Sequence, residues 1–508
     1  MKLIYDVEDK PKLGAVIVFA IQQLLAIMAA TLVVPVITGH GMSSAAALFG
    51  AGVGTLVYVL FTARKSPVFL GSSFAFLGSM ASAFAGGVSM ELGYLGLIIG
   101  AFFAGLVYVV IAIIVKFAGS EWVNKLMPAV VIGPTVAIIG LSLAGNAMGD
   151  IVKGGVTKEV VSYEDATVTV VDADGNETTG VVAIGQDVSV AITDENGATV
   201  YVSGTTVAEN AVTSSTTAAS PNVALFCGLV TILVTMLCST YGKKSGKLIP
   251  FIYGILAGYA VSLILTIIGN AADIDALKII SFASFTALVD GGVGLKTFIQ
   301  LPDFTFLTAF GGFGELSASY IGTIFVAYVP VAFVVFAEHI ADHKNISSII
   351  ERDLLKEPGL HRTLLGDGVG SMVGAFFGGC PNTTYGESIG CVAITKNASV
   401  VTIIAAAIGA ILISFIAPFV AFVNSIPSCV MGGVCMALYG FIAVSGLKMI
   451  QAVDLNKNKY LFVVSVILIA GIGGLEVTFG AVTITEVATA LILGILANLI
   501  LKKAPEEE

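Results

Sequence analysis

Two carboxylic acids sit in stretches otherwise suited to hydrocarbon. Glu338 ends the apolar run YIGTIFVAYVPVAFVVFA, and Glu387 lies in the segment PNTTYGES. A carboxylate at the centre of a bilayer costs about 2.5–3.5 kcal/mol on insertion scales, so such residues face cavities and carry function. A carboxyl out of water favours its protonated form, and a second carboxylate nearby reinforces this. Such a pair suits reversible proton uptake, which is the chemistry of symport. Asp342 follows Glu338 by one helical turn on the same face, within reach of a shared network; a solvated helix end is its plainer alternative. His339 and His343 have the i, i+4 spacing of zinc sites, but the metalloprotease pattern places Glu directly after the first His. Here the order is Glu338-His339-Ile340-Ala341-Asp342-His343, with no third ligand at hand and His361 beyond a loop. The two histidines therefore read as a polar cluster at the cytoplasmic end of a helix. Neither a nucleophile–base pair nor a metal motif speaks for an enzyme, and no cofactor is expected beyond the proton as coupling ion.

The elements that position these groups belong to a membrane. Of 508 residues, 56% are hydrophobic and 11% charged, with a mean hydropathy of +0.98. Soluble domains carry about 25% charged residues, and single cores stop growing near about 250–300 residues. Runs long enough to cross, about 20 residues each, fall at 14–38, 44–62, 93–117, 126–146, 222–240, 247–269, 318–343, 399–420, 426–447, 459–475 and 480–501. Three more, 67–86, 366–380 and 382–395, are shorter or broken by Gly and Pro. The expectation is an all-α polytopic protein of about fourteen spans. The charged N-terminus leads straight into a full-length span, so no removable signal peptide is expected. With that terminus inside, 20 of the 24 Lys and Arg fall in inner loops, as the positive-inside rule requires. Removing one span would set Arg64–Lys65 and Lys243–Lys247 on opposite sides.

Two broken segments carry the site. Pro67-Val-Phe-Leu-Gly71-Ser72-Ser73-Phe74 and Pro381-Asn-Thr-Thr-Tyr385-Gly386-Glu387 each begin at Pro after a span and enter a half-length helix. They occupy the third and tenth spans, corresponding places if seven spans repeat in inverted order. Paired interrupted segments of this kind point to a transporter's midplane site, where irregular backbone is tolerated only around a cavity or inside protein. Half-helix N-termini would aim free N–H groups at a ligand. Two purely structural kinks are the alternative.

Residues 151–221 do not belong to the membrane: they hold ten Asp or Glu, two Lys and runs of Val, Thr, Ser and Gly. VTVVDADGNETTGVVAIG and VSVAITDENGATVYVSG each place alternating β-branched residues around a DG or NG turn, a strong hairpin signal. A small extracellular β-rich insertion, closed by the flexible linker 211–220, is expected. Asp172, Asp174 and Asn176 resemble the start of a calcium loop, but Glu177 stands where Gly is needed and Ala183 where Glu is needed. Six cysteines, all in or beside spans, show neither zinc nor disulfide spacing. The net charge of −10 reflects acidic loops and the tail, and speaks for no nucleic-acid partner.

The strings AEHIADHKN, DLLKEPGLHR, GGCPNTTYGESIGCVAITK, AATLVVPV and LGSSFAF together resemble the nucleobase–ascorbate transporter family, with its bacterial uracil-permease branch nearest. The resemblance covers most of 13–150 and 222–503. It implies two inverted seven-span repeats, with short antiparallel strands before the two half-helices, and a homodimer in the cell membrane with both termini cytoplasmic. Along the chain it gives spans 1–5 in 1–150, the insertion at 151–221, spans 6–7 in 222–270 and an outer loop at 271–317. Spans 8–11 then fall in 318–420, and spans 12–14 with the tail in 421–508. Spans 1–4 and 8–11 would form a core that holds substrate, and the others a gate that moves against it. By position, Glu338 would bond the edge of the base, and Glu387 with the backbone of Tyr385 and Gly386 its other side. Phe74 would stack on the ring, Gln22 and Gln23 would add polar support, and Ser72 and Ser73 would orient the strand. Glu338, Asp342 and Glu387 would couple the proton. The implied function is proton-coupled uracil import. Asp342 stands where uracil permeases carry His and where purine and xanthine carriers favour Asp, so a xanthine or purine symporter is the alternative. An anion transporter of a related inverted-repeat fold, and a membrane-embedded enzyme or sensor, are the readings from other classes.

Overall fold

The computed structural model describes residues 2–119, 121–122, 128–156, 219–479 and 482–501, together with the backbone strands of the insertion. The calcium-like loop, Lys125, Lys158, Lys502 and Lys503 lie outside the described residues. In chain order, the helices and strands used below are α1 (Leu13–Thr38), α2 (Ser44–Phe61), β1 (Leu70–Ser72), α3 (Leu77–Ala83), α4 (Met90–Ala118), α5 (Ala129–Ser142) and α6 (Ala144–Asp150). The insertion supplies β2 (Val160–Ser162), β3 (Thr169–Val171), β4 (Glu177–Thr179), β5 (Asp187–Thr193), β6 (Thr199–Ala208) and β7 (Ala211–Thr213). Then follow α7 (Pro221–Tyr241), α8 (Pro250–Ala272), α9 (Ala318–Ile350), α10 (Leu360–Gly378), β8 (Asn382–Thr384), α11 (Gly386–Thr395), α12 (Val400–Ile413) and α13 (Ala417–Asn424). The chain closes with α14 (Ser428–Ile450), α15 (Asn458–Ile472), β9 (Val477–Phe479), β10 (Val482–Ile484) and α16 (Glu486–Leu501).

Helices start where the sequence offers a cap. Ser43, Ser89 and Ser317 each accept the backbone N–H three residues on, at 3.2, 3.1 and 3.1 Å, which satisfies one of the free donors of a helix start. Gly39 and Gly119, both at positive φ, end α1 and α4. Among the described residues, eight helices, counting α5 and α6 as one, are long and apolar enough to cross a membrane. Each of the fourteen stretches read from the sequence contains at least one helix or half-helix among the described residues. Three details differ from the expectation. The run 399–420 breaks into α12 and α13, and 126–146 breaks into α5 and α6. A β9–β10 hairpin precedes α16, because its alternating Val, Thr and Ile read equally well as apolar helix.

The insertion is a six-stranded sheet of order β2-β7-β6-β5-β3-β4. Both expected hairpins form, β3 with β4 and β5 with β6. The expected linker at 211–220 begins instead with a strand: β7 pairs with β2 and brings the two ends of the insertion together.

Two groups of helices pack internally. In one, α2 lies on α10 and α12, α4 on α9 and α10, and α1 on α12, with the half-helices α3 and α11 held against them. In the other, α14 lies on α5 and α7, α8 on α7, and α15 and α16 on each other and on α5. Both groups use small residues to bring backbones close, the usual solution where lipid is as apolar as the side chains. A Cβ at Gly50 of α2 would stand 2.4 Å from the Gly374 carbonyl oxygen of α10, and one at Gly374 would stand 2.0 Å from Asn382 Nδ2. In the second group, a Cβ at Gly140 of α5 would meet the Tyr439 carbonyl oxygen of α14 at 2.2 Å. Overpacking of this kind costs about 1–3 kcal/mol. Gly374→Ala is therefore expected to lower the thermal unfolding midpoint of the purified protein in detergent, while Ala at Gly14, which has open space around it, leaves it unchanged.

Candidate functional site

The two interrupted segments cross each other. β1 and β8 pair antiparallel, Leu70 opposite Thr384 and Ser72 opposite Asn382. The ladder continues through Ser73 N–H to the Pro381 carbonyl (2.9 Å) and Tyr385 N–H to the Phe69 carbonyl (3.3 Å). Each strand has a second edge, whose polar groups need partners where water is excluded. Side chains from the surrounding helices provide them. The Thr55 hydroxyl of α2 accepts the Leu70 N–H at 2.9 Å and lies 3.2 Å from the Leu70 carbonyl. The Ser388 hydroxyl accepts the Phe69 N–H at 3.0 Å and the side-chain amide of Gln23 in α1. Asn382 donates its amide to the Gly50 carbonyl at 3.1 Å. Tyr385 donates its hydroxyl to the Ser72 carbonyl at 2.6 Å. Its ring covers Gly71, where a Cβ would stand 2.4 Å from ring atoms.

From this crossing the half-helices diverge. A single 3-10 turn, Phe74–Phe76, leads into α3, and α11 begins at Gly386. A cavity of about 420 Å³ opens between the two helix groups at this point, within the range of about 300–1,000 Å³ usual for ligand sites. The first group lines it with Ser73, Phe74, Glu338, Asp342, Thr384, Tyr385, Gly386 and Glu387. The second contributes a mainly apolar wall of Val136, Ile139, Phe251 and Phe441, with Ser239, Lys247 and Ser445 also in the lining. Residues 338, 341, 342 and 345 form one stripe of α9, as helical spacing dictates. Asp342 is no solvated helix end: α9 runs two turns further to Ile350, and Asp342 Oδ2 accepts the Thr384 hydroxyl at 2.7 Å. Glu387 lies in the first turn of α11, where free N–H groups and the positive dipole end favour negative charge. Gly386 is exposed to the cavity, with open space where a Cβ would be. The Phe74 ring meets the Tyr439 ring of α14 edge-on, at 5.6 Å and 83°. Acceptors on two sides, backbone donors at a half-helix start and one aromatic face suit a small, planar, polar ligand. Three carboxyls on one cavity can also exchange a proton.

Of the residues named from the sequence, Glu338, Asp342, Glu387, Phe74, Tyr385, Gly386 and Ser73 thus share one cavity. Ser72 is fully buried in the strand. Gln22 is not among the lining residues; its neighbour Gln23 is the buried one, tied to Ser388. The two glutamines are 100° apart on α1, and residue type does not tell which turns inward. His339 and His343 do not form an open cluster at a helix end. Both are fully buried with rings stacked at 4.0 Å, and His339 Nδ1 lies 2.6 Å from Asp367 Oδ2. The sequence reading missed Asp367 itself, which the rule on ionisable groups in membrane segments would have flagged. It also missed the apolar wall, for which no local signal exists.

Comparison with known proteins agrees with this architecture. The model of the Permease family matches residues 14–172 and 198–479. A uracil permease of Bacillus caldolyticus is 34% identical over 510 residues, covering 99% of this chain and 96% of its own. The uracil permease of Escherichia coli (strain K12) is 31% identical over 498 residues, covering 98% and 93%. Among solved structures, the transmembrane domain of a cyanobacterium bicarbonate transporter, BicA, superposes with a TM-score of 0.55 at 13% identity, over 96% of each chain. Murine solute carrier 26 family member A9, an anion transporter, gives 0.55 at 11% identity over 97% of this chain and 69% of its own. At such identities the likeness is one of fold. With a family match across most of its length and relatives above 30% identity over nearly all of it, the chain belongs to the Permease family, the transporters its motifs resemble, and is a multi-pass membrane protein rather than an enzyme.

Proposed function

We propose that this permease imports a nucleobase, uracil before others, in symport with a proton. The observation that carries the reading is the convergence of Glu338, Asp342 and Glu387 on one cavity between two half-helices. A pyrimidine base presents N–H donors and carbonyl acceptors around a flat ring. Glu338 accepts from one edge, Glu387 with the N–H of Gly386 serves the other, and Phe74 covers a face. Proton uptake by the carboxyls offsets charge that would otherwise stand in a dry site, so base and proton are bound together. The uracil permeases among the relatives favour uracil. The anion-transporter reading has fold likeness alone behind it, and among the described residues the cavity sets three acidic groups against one cation, Lys247, a balance that opposes an anion. Transport on this reading is alternating access. The group of α1–α4 and α9–α12 carries the substrate, and the group of α5, α7, α8 and α14–α16 forms the gate. Fourteen crossings in two inverted repeats, cytoplasmic termini, an extracellular insertion and a homodimer in the cell membrane complete it.

Uptake of radiolabelled uracil into proteoliposomes is expected to saturate and to be abolished by a protonophore; uptake indifferent to the proton gradient sinks the proposal. Loss of a charge-assisted hydrogen bond costs about 1.5–3 kcal/mol, so Glu338→Gln weakens uracil binding by about 10- to 100-fold, read by calorimetry on the purified variant. Stacking of a base on an aromatic ring is worth about 1–3 kcal/mol; Phe74→Ala is expected to lose that much, and Phe74→Tyr to retain most of it. Competition of uracil, xanthine, uric acid and cytosine in one uptake assay ranks the substrates. Repeating it with Asp342→His is expected to sharpen the preference for uracil, and an unchanged ranking removes Asp342 from specificity.

A further inference from the structure

One residue around α9 from Glu338 lies a closed polar cluster that the transport reading does not use. His339 of α9 and Asp367 of α10 have no exposed side-chain surface, with Nδ1 and Oδ2 2.6 Å apart. His339 Nε2 lies 3.0 Å from the Thr363 hydroxyl, which also lies 3.1 Å from the Leu360 carbonyl. Among the described residues, none gives Asp367 Oδ1 a hydrogen bond.

Counting donors separates a protonated arrangement, whose extra proton lies between Asp367 and His339, from a deprotonated one. In the first, a neutral Asp367 donates from Oδ2 to His339 Nδ1, Nε2–H donates to Thr363, and the Thr363 hydroxyl donates to the Leu360 carbonyl. In the second, His339 Nδ1–H donates to an Asp367 carboxylate, and the Thr363 hydroxyl turns to donate to Nε2. The two keep the Asp367–His339 and His339–Thr363 contacts and differ by one proton and one hydroxyl rotation, which releases the Leu360 carbonyl. A cluster that only pinned α9 to α10 would need one arrangement. The second partner of Thr363 gives this one a way to lose a proton and regain it. The first arrangement fits the conformation observed, because a carboxylate oxygen buried without a partner is costly.

The surrounding ionisable groups leave the pair to this role. His343 is committed elsewhere: Nδ1–H donates to the His339 carbonyl at 2.8 Å, and Nε2 accepts the Tyr58 hydroxyl at 2.7 Å. That hydroxyl in turn accepts from Ser66 at 2.7 Å. Tyr108 of α4 packs beside the His339 ring, with centroids 6.1 Å apart. Glu338 and Asp342 are on the same helix. Among the described residues no Lys or Arg forms an ion pair with Asp367. We infer that His339 and Asp367 form a second proton-binding site of the carrier, separate from the cavity, which holds one proton in this conformation and gives it up during the transport cycle. The inference rests on the proton-symport reading.

Asp367→Asn keeps an N–H for His339 Nδ1 and so copies the protonated arrangement while barring release. The purified variant is expected to bind uracil within about threefold of wild type and to retain uracil exchange, while accumulation driven by an imposed pH gradient falls by about tenfold or more. Accumulation equal to wild type overturns the inference. Should the variant fail to fold, infrared spectra of Asp342→Asn protein made with isotope-labelled aspartate decide. A labelled, protonated carboxyl at neutral pH whose band changes on uracil binding supports the site; no such band, or one indifferent to uracil, overturns it. Wild-type protein that ignores uracil or the protonophore fails the parent reading, whereas this inference fails only when wild type responds to both and Asp367→Asn matches it.

Discussion

In hydrocarbon a backbone N–H or C=O has no water to turn to, and much of this structure follows from breaking two helices there. Six residues, Leu70–Ser72 and Asn382–Thr384, leave the helical pattern and pair with each other, which satisfies one edge of each. Their other edges take the Thr55 hydroxyl of α2 at Leu70 and the Tyr385 hydroxyl at Ser72, while Gln23 of α1 holds Ser388 at the Phe69 N–H and Asn382 turns its amide to Gly50 of α2. Those side chains reach only if the helices stand close, and the glycines shared by α2 and α10 permit it. Helix packing, the tilt of Tyr385 over Gly71 and the placing of Glu387 at a helix start are thus consequences of one requirement. The arrangement is also self-limiting. A side chain added at Gly54 or Gly374 of the glycine seam pushes on Asn382, and through it on the strand that frames the cavity.

The cavity has two unlike walls. The carboxyls, strand hydroxyls and half-helix starts belong to one helix group, whereas the other is mainly apolar, with Val136, Ile139, Phe251 and Phe441 outnumbering Ser239, Lys247 and Ser445. The apolar part of that wall makes no directional bonds, so sliding it past the polar wall breaks no hydrogen bonds there. Phe74, edge-on to Tyr439, is one place where an aromatic contact bridges the two.

Much of this was legible in the sequence, for identifiable reasons. Hydropathy reports spans because a bilayer imposes a length, and Pro67, Gly71, Pro381 and Gly386 betray the broken segments because Pro and Gly punctuate helices. Glu338 and Glu387 were visible because charge in an apolar run is costly. What stayed hidden depends on rotation or on distant contacts. Gln22 and Gln23 differ only in which side of α1 they face. The β9–β10 hairpin is written in residues that also suit a membrane helix. Asp367 lies in the glycine-rich run 366–380, which reads as a short or broken segment although α10 is continuous from Leu360 to Gly378, and its partner His339 is remote in sequence. Asp342 was open between a solvated end and a site residue until the length of α9 and the hydroxyl of Thr384 were known.

The insertion is fixed at both ends to one helix group. Gly155 N–H donates to the Ile279 carbonyl at 2.7 Å, Cys429 N–H to the Lys153 carbonyl at 2.8 Å, and Ser220 N–H to the Ala276 carbonyl at 3.0 Å. The segment from Ala276 to Ile280 is bound in turn to Thr266 of α8. Because β2 and β7 pair at the root of the sheet, both tethers leave from one spot. Among the described residues, the contacts at both ends of the insertion belong to one helix group, so a movement of that group carries the two ends of the sheet with it.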